Sequence, residues 1–278
     1  MMIEAQAISK RYGRVEAVRE ASFTVGQGEI VGLLGPNGAG KTTIMKILTG
    51  FHYPTAGTAI VHGMDVAEQP VAVKRCLGYL PENAPLYGDL TVREYLDFVA
   101  DARSLAGTNR RQALERTLSV CGLVSQVDRP IEELSKGYKQ RVGLAQAMIH
   151  DPAILILDEP TTGLDPNQIQ EIRHLIRTLG RDKTVILSTH ILQEVEAVCD
   201  RVLILHEGRI AAVGTTDEIG RQVKGEITFA VRVAGRRPDE AALEALRAVG
   251  SILDEPAVEE DSTRFRVTLN RGASGEDI

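Results

Sequence analysis

The chain has 278 residues, 43% of them hydrophobic and 25% charged, which suits one large domain or one domain with a small appendage. A formal net charge of −6 and an aromatic content of 4% without tryptophan weigh against a nucleic-acid partner, because phosphate backbones select basic surfaces and single strands select stacking platforms. Cys76, Cys121 and Cys199 form no CxxC pair and the six histidines form no HExxH, so neither a disulfide framework nor a zinc centre is expected.

From Gly28 onward, strand and helix patterns alternate. Residues 29–34 (EIVGLL) form a short apolar run ending at a glycine-rich turn, and residues from 44 (IMKILTG) carry helical periodicity up to Gly50. Between 85 and 150 the texture becomes helical: amphipathic helices are predicted over 91–104, 109–121 and 136–150, as an insertion in an α/β domain. Residues 153–157 (AILIL) and 184–187 (TVIL) read as strands covered on both faces, each too short for a helix. Residues 201–205 and 209–213 flank His206, Glu207 and Gly208 as a hairpin. A second unit is predicted over 221–278, with strands at 227–233, near Ile252 and at 263–269, and a helix at 239–248; the pattern suggests a truncated βαββαβ unit. The start lacks the apolar core of a signal peptide, and no stretch approaches the roughly 20 apolar residues of a membrane span. Residence in the cytosol is therefore expected, unless a membrane partner holds the chain.

Gly35, Pro36, Asn37, Gly38, Ala39, Gly40, Lys41, Thr42 and Thr43 contain the pattern GxxxxGK[ST] between a predicted strand and a predicted helix. The glycines let the backbone turn its N–H groups inward, and the helix start presents its positive dipole end to an anion. Lys41 would supply a charge to the β- and γ-phosphates, and Thr42 a hydroxyl to Mg²⁺. A glycine-rich turn without ligand is the bland alternative; a dinucleotide fingerprint would leave the Lys–Thr pair without a role.

The strand 154–157 runs into Asp158 and Glu159. Alternation along a strand would point the two carboxylates different ways, one towards a metal and one towards an attacking water; Asp158 is assigned to Mg²⁺ and Glu159 to the base. His190 follows the strand predicted at 184–187, where ligands of open α/β sheets bind, and could donate to a γ-phosphate. Ser135 and Gly137 open a helix as an N-cap and a point of close backbone approach. Read alone, they are an ordinary helix cap.

Taken in order, residues 3 to 222 resemble the ATP-binding cassette (ABC) family. Walker A is the loop from Gly35, the signature is LSKGY from Leu134, Walker B ends at Glu159, the D-loop contains Asp165, and the switch histidine is His190. The stretch LGYLPENAPLYGDLTVREYLDF points further to the ABC-2-type exporter group of multidrug, sodium and gliding-motility transporters. The resemblance implies a P-loop α/β cassette over 1–220 with a helical subdomain at about 85–150. It also implies a small accessory αβ unit over 221–278, ATP and Mg²⁺ as ligands, and Tyr12 stacked on adenine. Two cassettes would pair head to tail, most simply as a homodimer, with Ser135, Gly137 and Asp165 meeting the partner's nucleotide. A separate polytopic permease would hold the pair peripherally at the cytoplasmic face of the membrane. Two departures from the family pattern stand out. Lys136 and Tyr138 replace a glycine and a glutamine of the common LSGGQ signature, and Glu82 replaces the Q-loop glutamine. A carboxylate at 82 can still bind Mg²⁺ but adds repulsion near the γ-phosphate, so altered coupling is expected rather than loss of ATP binding. A soluble cassette acting on ribosomes or DNA is the alternative. The fused second cassette, charged linker or long coiled-coil insertion that such proteins carry is not found in this sequence.

Overall fold

Two long strands open the chain, β1 (Ile3–Tyr12) and β2 (Val15–Val25), paired antiparallel. The computed structural model describes residues 1–215, 218–219, 228–234, 243–244, 248, 250–252, 257–258 and 262–269. Register shifts interrupt β1 between Ala5 and Ile8 and again up to Arg11. Ala7 and Glu20 take positive φ there, and their amides donate to the hydroxyls of Ser22 and Ser9. Such irregularities re-aim the side chains beyond them.

The strand expected at 29–34 is β3 (Ile30–Leu34), and the helix after the loop is α1, which starts earlier than expected (Lys41–Leu48). The strands β4 (Ala56–Val61) and β5 (Met64–Asp65) complete a four-stranded sheet of order β2-β1-β4-β5. After α2 (Pro70–Cys76) comes β6 (Leu77–Leu80), and then the helices α3 (Val92–Ala102), α4 (Gly107–Val120) and α5 (Lys136–Met148). Thr91 and Glu94 close a reciprocal cap on α3, which satisfies backbone donors that the first turn leaves free. The chain continues through β7 (Ile154–Leu157), α6 (Pro166–Leu179), β8 (Thr184–Thr189), α7 (Leu192–Val198), β9 (Arg201–His206) and β10 (Arg209–Gly214).

The larger sheet has six strands in the order β10-β9-β3-β8-β7-β6. Its β9, β3, β8, β7 and β6 run parallel, and β10 returns antiparallel as the expected hairpin. Both faces are covered. In β7, Ile154 and Ile156 join the core that contains α1, while Leu155 and Leu157 join the core built on α3, α5 and α6. Period-two alternation into two cores explains why the strand reads as an unbroken apolar run. α5 lies against β6 at backbone distance: a Cβ on Gly78 would stand 2.0 Å from the carbonyl oxygen of Ala147.

The chain divides into Met1–Ile219 and Gly220–Ile278. In the second unit β11 (Thr228–Ala234), β12 (Gly250–Ile252), β13 (Ala257–Val258) and β14 (Ser262–Leu269) form an antiparallel sheet, with β14 pairing with the other three strands. The helix expected over 239–248 lies outside the described residues except at 243, 244 and 248, which are helical, and 271–278 lie outside them too.

Candidate functional site

The carboxyl ends of β3, β7 and β8 bring the predicted residues together. Between β3 and α1 the chain turns through Gly38 and Gly40, at φ 81° and 107°, values at which a side chain is strained. At Gly35 and Gly40 the fold also leaves no room for one. A Cβ on Gly35 would lie 2.3 Å from the Leu205 carbonyl oxygen, and one on Gly40 2.4 Å from that of Ala17. The turn is tied to the sheet by the Gly35 amide, which donates to Thr189 at 3.3 Å, and is closed by Ala39 N–H to the Pro36 carbonyl at 3.2 Å.

Lys41 begins α1 with its side chain only 6% exposed. Its ammonium donates to the carbonyls of Gly35 at 2.7 Å and Pro36 at 3.2 Å, and lies 3.3 Å from Glu159 Oε1. Thr42 donates its hydroxyl to Asp158 Oδ1 at 3.3 Å. A cleft of about 430 Å³ opens above the loop, and Tyr12, Asn37, Thr43, Glu82 and Glu159 contribute to its walls.

The two carboxylates do not diverge by strand alternation, as the sequence suggested. β7 ends at Leu157, and Glu159 already has left-handed backbone, φ 49°. Asp158 is fully buried; its Oδ1 accepts from Ser188 Oγ at 2.6 Å as well as from Thr42, while its Oδ2 is buried without a partner. A buried carboxylate oxygen without a donor is costly, and beside the Thr42 hydroxyl it makes a fitting ligand for a hard cation. Magnesium is commonly held by one or two carboxylates plus substrate phosphates. The donor set thus fits the metal that the sequence implies. Glu159 Oε2 accepts from Thr162 Oγ1 at 3.2 Å and lies 3.1 Å from His190 Nδ1. The imidazole stands just past β8 with nearly half its side chain exposed.

Tyr12 ends β1 beside the cleft. Its ring meets His52 edge to face at 5.6 Å, and the Lys10 ammonium lies 5.4 Å from its centroid. Glu82 follows β6 into the same cleft. Burial, with Asp158 and then Glu82 nearby, raises the pKa of the Tyr79 hydroxyl.

Ser135, Gly137 and Asp165 are absent from this cleft. Ser135 caps α5, accepting from the Tyr138 amide at 3.5 Å, and shares a recess of about 220 Å³ with Gly137 and Gln168. Asp165 caps α6: its Oδ1 accepts from the amides of Asn167 and Gln168, both at 3.0 Å, and Gln168 Oε1 accepts the Asp165 amide at 3.4 Å.

Sequence reasoning gave no role to Ser188 or Gln168, and placed Thr162 only as the start of the D-loop. For Ser188 the signal lies in strand register and not in the local sequence: Leu157 pairs with Leu187 across parallel strands, which sets the hydroxyl one residue on beside Asp158.

Residues 18–162 match the domain family described as ABC transporter. The chain belongs to that family. Over 222 residues it is 39% identical to the probable multidrug ABC transporter ATP-binding protein YbhF of Escherichia coli, covering 80% of this chain and 38% of that protein. It therefore spans well under half the length of that relative. It is 33% identical over 254 residues to the linearmycin resistance ATP-binding protein LnrL of Bacillus subtilis, covering 91% of this chain and 81% of LnrL. A solved structure of an ATP-binding subunit of an ABC transporter is 34% identical, with a TM-score of 0.72 over 80% of this chain and 93% of that one. The family and the α/β P-loop fold expected from the motifs are the ones found, and the resemblance includes exporter-type members of the ABC family.

Proposed function

We propose that this chain is the ATP-hydrolysing subunit of an ABC exporter, working as a Mg-dependent dimer beneath a separate membrane-spanning permease. The observation that carries the reading is the convergence at one sheet end of two contact sets, Lys41–Glu159–His190 and Thr42–Asp158, whose members lie within hydrogen-bonding or ion-pair reach.

On this reading the loop amides and Lys41 hold the nucleotide's phosphates, with Tyr12 against the base. Thr42, Asp158 and Glu82 are the residues that would hold Mg²⁺, which when bound neutralises charge on the phosphates. Glu159 accepts the proton of the attacking water. His190 orients that carboxylate and donates to the γ-phosphate. The Lys41–Glu159 contact keeps the general base beside the phosphate-binding cation.

The recess at Ser135 and Gly137, with the D-loop at Asp165, lies apart from the chain's own loop. These residues therefore serve the nucleotide of a second chain. Residues 1–220 act as the cassette and 221–278 as an accessory unit. On the helical insertion, Tyr87 and Phe98 meet edge to face at 5.6 Å while both residues are about half exposed, an apolar handle for the permease. Among the described residues no helix is long and apolar enough to cross a membrane, so anchoring at the cytoplasmic face would fall to that partner.

The test is turnover by the purified chain. Glu159→Gln is expected to lower ATP hydrolysis at least ~100-fold while ATP binding is kept. Equal turnover in both forms would remove Glu159 as the base. Capture of the tagged chain from native membranes should bring down a polytopic protein; ribosomes in its place would overturn the transport assignment.

A further inference from the structure

The signature turn and the D-loop each cover a glycine of the other. Gly163, at φ 70°, lies under the side chain of Lys136: a Cβ built there would stand 1.9 Å from the ammonium nitrogen and 3.1 Å from Cε. Gly137 is buried under the side chain of Gln168, whose Cδ lies 2.7 Å from the corresponding Cβ position. Gln168 is also half of the cap that holds Asp165. A closed circuit of contacts therefore runs from Lys136 to Gly163, through Asp165 to Gln168, and back to Gly137.

Helix stability does not explain the lysine. Lys136 is the first residue of α5, where the helix dipole disfavours a cation. Its ammonium has no hydrogen bond or ion pair among the described residues. What it does have is the surface of Gly163, which only glycine leaves open. The D-loop in turn begins at the general base: Thr162 donates through its amide to the Glu159 carbonyl at 3.2 Å and through its hydroxyl to Glu159 Oε2 at 3.2 Å.

We infer that Lys136 and Gln168 are positioning residues that clasp the signature turn to the D-loop, so that the segment facing a second chain's nucleotide moves with the Glu159 of its own chain. The clasp is an intramolecular contact; its effect on turnover rests on the hydrolysis reading above. Lys136 thus replaces the freedom of a glycine signature with a strut between two half-sites.

Two measurements on the full chain test this. In hydrogen exchange without nucleotide, Lys136→Ala should speed exchange of the Thr162 and Leu164 amides severalfold and leave those of α1 unchanged. In ATP turnover, Gly163→Ala should lower kcat by about tenfold or more when Lys136 is present, but by no more than about threefold in the Lys136→Ala background. The φ cost at 163 is common to both backgrounds and cancels, so the difference reports the contact alone. Lys136→Met, which keeps the unbranched stem, should exchange and turn over like the native chain, and the affinity of the chain for ATP should be the same in all variants. Unchanged D-loop exchange in Lys136→Ala, or equal effects of Gly163→Ala in the two backgrounds, overturns the clasp. Faster exchange in a chain without measurable turnover supports the clasp and counts instead against hydrolysis.

Discussion

One oxygen, Ser188 Oγ, holds both acidic residues of the site: it accepts from the Glu159 amide at 2.8 Å and donates to Asp158 Oδ1 at 2.6 Å. Ser188 itself is fully buried. Ser188→Ala is expected to leave both groups short of a partner and to cost roughly 1–3 kcal/mol of stability, read from urea unfolding. It should also raise the Mg²⁺ concentration needed for half-maximal turnover, because the free Asp158 carboxylate loses its fixed orientation; an unchanged Mg²⁺ profile would count against that orienting role. The contrast with Lys41 shows what a sequence discloses. Lys41, Thr42, Asp158 and Glu159 were legible because their types occur at fixed spacing beside apolar runs. Ser188 and Gln168 were not, because their roles come from strand register and from contact between segments about 30 residues apart.

At the scale of elements, β3, β7, β8 and β9 were legible in the sequence as short apolar runs, whereas β6 (LGYL), in the same parallel sheet, was not. β1, β2 and β4 passed unnoticed because exposed polar residues interleave with their buried ones and bulges break the alternation. α6 was also missed, although Asp165, Pro166 and Gln168 spell a helix start; Asp165 is assigned to the D-loop instead. The end of α5 carries a titration. His150, which follows the helix, lies 3.1 Å through Nε2 from the Leu77 carbonyl oxygen, with its Nδ1 buried and unpartnered. Burial first, then the Arg103 charge, lowers its pKa from 6.5 to about 4. The unfolded chain therefore takes up this proton at a higher pH than the native one. The contribution of the neutral imidazole is whole above about pH 6.5 and is lost as the pH falls towards 4. Urea midpoints measured at pH 7.5 and pH 5 should fall more for the native sequence than for His150→Gln. Identical slopes would mean that the imidazole titrates normally.

For the whole molecule, the proposed reading has a second copy bring its recess at Ser135 and Gly137 to the cleft above the phosphate loop. Glu159→Gln with saturating Mg-ATP is expected to double the mass seen by light scattering, while the nucleotide-free chain stays monomeric; a monomer under both conditions would count against head-to-tail pairing. Only motif order implies that arrangement, since no local pattern assigns Ser135 to anything but its own helix cap. On the proposed reading, the two ends of the nucleotide answer to different sheets. The phosphate loop hangs from the parallel sheet, whose register between β3, β8 and β7 is regular. Tyr12 stands at the end of a strand whose register slips repeatedly. One residue gained or lost within β1 would turn Tyr12 to the opposite face and leave Lys41 where it is. Preference for the nucleobase can thus drift over evolution while the machinery for the phosphates stays fixed.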